Sequence, residues 1–125
     1  MQKISLIYAL LIFSVLSCSK EEDSINTSCG FNKPIEKIEW LNDFVKEYEQ
    51  MEQDGNEFIQ YAYILQAPFK LKTVFVVGNC CPNCLSIIIV RDCSGKDVET
   101  TSDEYTDLLE KGTVIWKAQS NVCTF

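Results

Sequence analysis

Cys29, Cys80, Cys81, Cys84, Cys93 and Cys123 are the side chains of this sequence best suited to chemistry. Within them, Cys81-Pro82-Asn83-Cys84 has the spacing of a thiol–disulfide exchange pair. Such a pair depends on a helix N-terminus to stabilise its thiolate. The residues that follow, Leu85-Ser86-Ile87-Ile88-Ile89-Val90, favour a strand over a helix. No proline occurs after Pro82 to sit beside the pair in a cis bond. An extracytoplasmic redox role for Cys81 and Cys84 is therefore the alternative reading, and structural disulfides are the leading one. Zinc is not expected, because there is no second cysteine pair of the usual spacing and the chain has no histidine. The lack of histidine also removes Ser-His-Asp and Cys-His catalysis and imidazole acid–base chemistry. Paired carboxylates can hydrolyse glycosides, but a domain this small offers little cleft, and most of its acids fall on the wet face of a helix. No glycine-rich phosphate loop is present. The sequence thus assigns no catalytic residue, no metal and no cofactor.

The elements that must position these cysteines begin near Cys29. Pro34 suits a first helical turn, with Asn32 as its cap, and Ile35, Ile38, Leu41, Phe44, Val45, Tyr48 and Met51 recur at steps of three and four. One long amphipathic helix ending at Gly55 is predicted. A β-rich run covers Glu57–Gln66, a turn is expected at Ala67-Pro68-Phe69, and a second strand at Lys70–Val77 carries Leu71, Thr73, Phe75 and Val77 on one face. The continuous apolar run Leu85–Val90 predicts a strand near the middle of the sheet. Asp92-Cys93-Ser94-Gly95 is a turn into a short polar strand near Lys96–Thr100. Ser102 caps a short second helix through Lys111, Gly112 ends it, and Thr113–Ala118 is the last strand. Strands joined by short turns pair antiparallel. The expected class is α+β: a twisted antiparallel sheet of four to five strands, with the long helix packed on one face, stapled by disulfides.

That up-and-down order sorts the cysteines. Cys29 and Cys93 fall at one end of the sheet, and Cys80, Cys81, Cys84 and Cys123 at the other. Cys84 and Cys93 stand about 30 Å apart along an extended strand, far beyond the roughly 7 Å a disulfide allows. Cys29 is therefore expected to pair with Cys93, and Cys123 with Cys80 or Cys81.

The N-terminus carries a different message. Lys3, the apolar stretch Ile4–Leu16, then Ser17 and Cys18 have the layout of a signal peptide, and the stretch is shorter than the roughly 20 apolar residues that span a bilayer. Val15-Leu16-Ser17-Cys18 resembles the bacterial lipobox, which implies removal of residues 1–17 and acylation of Cys18. Ser19, Lys20, Glu21, Glu22 and Asp23 resemble the export signal that sends Bacteroidota lipoproteins to the outer face of the outer membrane. Residues 18–28 read as a lipidated acidic tether and 29–125 as a single domain. Without Lys3 the chain has 10 basic and 18 acidic residues, a surface that repels phosphate backbones. Nucleic acid is thus excluded as a partner, and attachment to outer-membrane lipid would come from acyl chains.

Cys29-Gly30, Pro34-Ile35-Glu36, Ile38, Trp40-Leu41 and Asp92-Cys93-Ser94-Gly95 together resemble a family of small uncharacterised Bacteroidota lipoproteins. The resemblance covers most of residues 29–125 and implies an anchored, disulfide-bonded domain with no attached activity. The expectation is a lipid-anchored cell-surface protein with a non-enzymatic binding or structural envelope role. Trp40, Trp116, Tyr61, Tyr63 and Tyr105 would be its candidate surface for a protein or glycan ligand, unless they are spent on packing.

Overall fold

Pro34 starts a single helical turn, α1 (Pro34–Lys37), because its locked φ and missing N–H cost nothing at a first position. The cap position is Lys33 rather than Asn32, with no side-chain cap, and the Lys33 ammonium pairs with Glu36 at 3.0 Å. This computed structural model describes residues 28–125. The signal sequence 1–17, Cys18, the export residues Ser19, Lys20, Glu21, Glu22 and Asp23, and the tether as far as residue 27 lie outside the described residues.

The predicted long helix is broken once. Ile38 is extended (φ −98°, ψ 110°) and its N–H donates to the Pro34 carbonyl at 2.8 Å before α2 (Glu39–Gln53) begins. The sequence explains the break. The steps Ile35–Ile38–Leu41 are both of three residues, and in a continuous 3.6-residue helix two such steps turn the stripe away from the sheet. Leaving the helix at Ile38 lets both Ile38 and Leu41 stay buried.

Glu57–Tyr61 is a 3₁₀ turn, not strand, because the Asn56 side chain accepts the Phe58 N–H at 3.0 Å and caps it. Strand β1 runs Ala62–Phe69 and β2 runs Lys72–Asn79. The turn expected at Ala67-Pro68-Phe69 lies beyond those residues, which stay in β1, at Lys70-Leu71. Lys70 and Leu71 both adopt positive φ (47° and 65°), the two-residue geometry that matches strand twist. Pro68 is tolerated inside β1 because β4 pairs with β1 only as far as Gln66, so no ladder donor is lost there.

β3 is short, Ile89–Asp92, followed by α3 (Ser102–Lys111) and β4 (Thr113–Lys117). The sheet is antiparallel throughout, in the order β3-β2-β1-β4. Two sequence expectations fail here. The Leu85–Val90 run is not a central strand: β3 lies at an edge, and Leu85–Ile88 precede it without entering the ladder. Lys96–Thr100 forms no strand, only a bridge of Asp97 to Arg91. The cap of α3 is Thr101 rather than Ser102: its side chain accepts the Glu104 N–H at 3.2 Å, while the Glu104 carboxylate accepts the Thr101 N–H at 2.9 Å.

Alternation along the strands splits the core into two layers. Ile64, Phe75 and Val77 face α2 and meet Ile38, Leu41 and Val45. Tyr63, Leu65, Ala67, Val74, Val76 and Val90 face the other way, against Leu108 of α3. The short helix therefore covers the second face of the sheet. A bulge in β4, where Ile64 pairs with Trp116 but Leu65 with Val114, turns both Ile115 and Trp116 towards α2. At the far end of α2 the Glu52 carboxylate accepts Ser120 N–H (2.9 Å), Ser120 hydroxyl (2.7 Å) and Gln119 N–H (3.2 Å). These bonds favour its ionised form and hold its carboxyl below the usual range.

Candidate functional site

All six cysteines of the described domain are paired. Cys29–Cys93 joins the chain before α1 to the turn after β3, with Cα atoms 5.7 Å apart. At the opposite end Cys80–Cys123 ties the end of β2 to the C-terminal segment, and Cys81–Cys84 closes the neighbouring loop (Cα–Cα 5.8 and 5.4 Å). The Cys123 alternatives thus resolve to Cys80. Pro82 and Asn83 form a turn, and no helix follows Cys84, so the helix dipole that an exchange-active cysteine pair relies on is missing at this site. Asn79 instead stabilises the loop, its side-chain carbonyl accepting the Cys81 N–H at 2.8 Å.

The aromatic candidates are distributed through the core and do not form one platform. Trp40 packs edge-on to Phe44 and Phe75 (centroids 6.3 and 5.8 Å), donates from Nε1 to the Cys93 carbonyl at 3.4 Å, and lies under the Arg91 guanidinium at 5.7 Å. Gly95 at φ +84° lets the turn pass this ring; a Cβ there would come within 2.8 Å of Trp40. Trp116 meets the Tyr48 ring at a tilt, with centroids 5.5 Å apart. Tyr63 is buried, edge-on to Phe125 at 5.1 Å. Tyr61 contributes its carbonyl, which accepts the Cys80 N–H at 3.0 Å. Tyr105 packs on the α3 side of the sheet, where burial and the nearby Tyr63 hydroxyl push its phenol up to about 12.

Sequence reasoning missed the surface beside β3. Leu85, Ile87 and Ile88 are 106%, 85% and 51% exposed, three apolar residues within four positions, whereas the valines and isoleucine of β1 and β2 are buried. Ile88 forms one wall of a cleft of about 660 Å³ whose floor is Val90, Val98 and Tyr105 and whose rim holds Glu99 and Thr101. Among the described residues Glu99 has no ion-pair partner. The one signal of this surface in the sequence was the uncharged, proline-free run Leu85–Val90, which reads equally as a buried strand. Among the described residues no group of three cysteines or carboxylates is placed to hold a metal, and no helix is long and apolar enough to cross a membrane.

A scan of protein-family models finds no match to this chain, and searches of curated proteins and of solved structures find none either.

Proposed function

We propose that this chain is a lipid-anchored domain held on the outer membrane and displayed at the cell surface, with a non-enzymatic binding or structural role in the envelope. One observation carries the reading: every cysteine from 29 to 125 is in a disulfide, the condition of a small domain matured in an oxidising compartment, downstream of a signal-like segment that ends in Cys18. The lipobox resemblance supplies the anchor, and the acidic run after Cys18 supplies the outward address. The stapled sheet is a rigid body suited to presenting a surface.

Labelling cells with a fatty-acid analogue tests the anchor. Label is expected on the wild type and absent from Cys18→Ala, which should also leave the membrane fraction; an unchanged fractionation of that variant refutes the anchor. Replacing Lys20, Glu21, Glu22 and Asp23 with alanine should keep the label and abolish cleavage by protease added to whole cells. A thiol count on native protein separates this role from redox exchange at Cys81 and Cys84: a structural framework shows no reactive thiol under mild reduction.

A further inference from the structure

We propose that Leu85–Ile88, the stretch that leads into β3, and the adjoining cleft form a docking site for an extended, apolar-and-basic segment of another protein, which pairs with that stretch as an added strand. The inference rests on the binding-domain reading and is independent of the lipid anchor. Backbone accounting comes first. From Val90 onward the outer side of β3 is covered, since the Val98 N–H donates to the Val90 carbonyl (2.8 Å) and the Asp92 N–H to the Lys96 carbonyl (2.9 Å). Leu85–Ile88 have no place in the sheet ladder, and among the described residues their one backbone bond outside it runs locally from the Ser86 N–H to the Cys84 carbonyl at 3.0 Å. Unpaired backbone in a β-prone run invites pairing with another strand much as an open sheet edge does, and proteins usually guard such backbone with lysine, proline or a bulge. Leu85–Val90 contains none of the first two. The Cys81–Cys84 bridge fixes the start of the segment, which lowers the ordering cost of receiving a guest strand.

The cleft sets the chemistry of that guest. Strand addition takes affinity from main-chain bonds and specificity from pockets that receive alternate side chains. Ile88, Val90 and Val98 offer an apolar seat for one such side chain, and the Glu99 carboxylate at the rim, which has no ion-pair partner among the described residues, calls for a cation on the next. The N-terminus of α3 would by itself attract an anion, but Glu104 already caps it and Asp103 stands beside it. The chain as a whole carries a net charge of −7, which favours a basic guest and opposes a second copy of itself.

The test is a titration of the full chain in detergent with end-capped peptides alternating valine with lysine or valine with glutamate, followed by amide NMR shifts. Shifts confined to residues 85–89 and 98–101, with the lysine peptide preferred, are expected. Ile88→Pro removes the N–H on the side that Val90 and Asp92 turn away from β2, and should weaken that peptide by about tenfold or more, as loss of main-chain pairing requires. Ile88→Lys should do the same through charge at the cleft mouth, and Glu99→Gln should erase the preference for lysine over glutamate. No binding, shifts elsewhere on the domain, or affinity unchanged by both isoleucine variants overturns the proposal. So does a dimer in sedimentation that Ile88→Pro dissolves, because the stretch then pairs with a second copy. None of these failures alters the acylation result for Cys18, so the two readings fall separately.

Discussion

Between Ala62↔Asn79 and Phe69↔Lys72 the β1–β2 hairpin pairs along its whole length, whereas β2 and β3 pair only from Val74↔Asp92 to Val77↔Ile89. Both regions are rich in β-branched residues. They differ in what covers them. Successive residues of β1 and β2 pass alternately to the α2 and α3 layers, so each apolar side chain gains a partner. Extending β3 by two residues would set Ile88 against Gly78 and Ile87 against Asn79. The Tyr63 ring already lies over Gly78, and Asn79 is committed to the Cys81 N–H. A β-prone run becomes a strand only where the third dimension has room for both of its faces.

The largest test of that contrast is a pair of truncations. Phe75→Ala removes a ring that is fully buried between the layers and should cost about 3–5 kcal/mol in denaturant unfolding. Ile87→Ala removes nearly as apolar a side chain from the exposed run and should change stability by less than about 0.5 kcal/mol. Equal costs would mean that Leu85–Ile88 are packed in solution.

The disulfides sharpen the same contrast through loop length. Cys29–Cys93 spans 64 residues and Cys81–Cys84 spans 3. Unfolded-state entropy therefore predicts a loss of about 4 kcal/mol for the double serine variant of the first pair and under about 2 kcal/mol for the second. Denaturant midpoints of the two double variants check this. Comparable losses would give the short loop a packing role beyond chain closure.

Gly78→Ala probes the point where the ladder stops. A Cβ there overlaps the Tyr63 ring, so the ring must leave its contact with Phe125 or the strands must part. Destabilisation of about 1–3 kcal/mol is expected. The cost should shrink in a Tyr63→Phe background only if the clash is with the hydroxyl end alone.

These residues also show how far the chain could be read without its structure. The α+β class, the amphipathic stripe of α2, the short helix before β4 and the opposite ends occupied by the cysteines all follow from local periodicity and strand direction, which are written in nearest neighbours. Lys70 and Leu71 could not be recognised as the hairpin turn, because neither is glycine or asparagine and their positive φ is imposed by the strands on each side. The short length of β3 and the exposure of Ile87 and Ile88 follow from Tyr63 and Asn79 claiming the end of β2. No window along the sequence contains that competition.

The smallest effect concerns pH, and it separates Tyr105 in the cleft floor from an ordinary surface phenol. Burial is the main cause that raises its pKa from 10.0 to about 12, with Tyr63 adding to it. A tyrosine is neutral when protonated, so a raised folded value means that the fold favours the neutral form and resists ionisation. The stabilisation is fully present below pH 10 and is lost as the pH rises through the interval to about 12. Tyr105→Phe keeps the ring and removes the titration, so the stability difference between wild type and variant should fall steadily across that interval in alkaline unfolding curves. A difference that stays constant from pH 9 to 12 would place the Tyr105 hydroxyl in water, and the floor of the cleft would then be more polar than the packing of Val90 and Val98 around it implies.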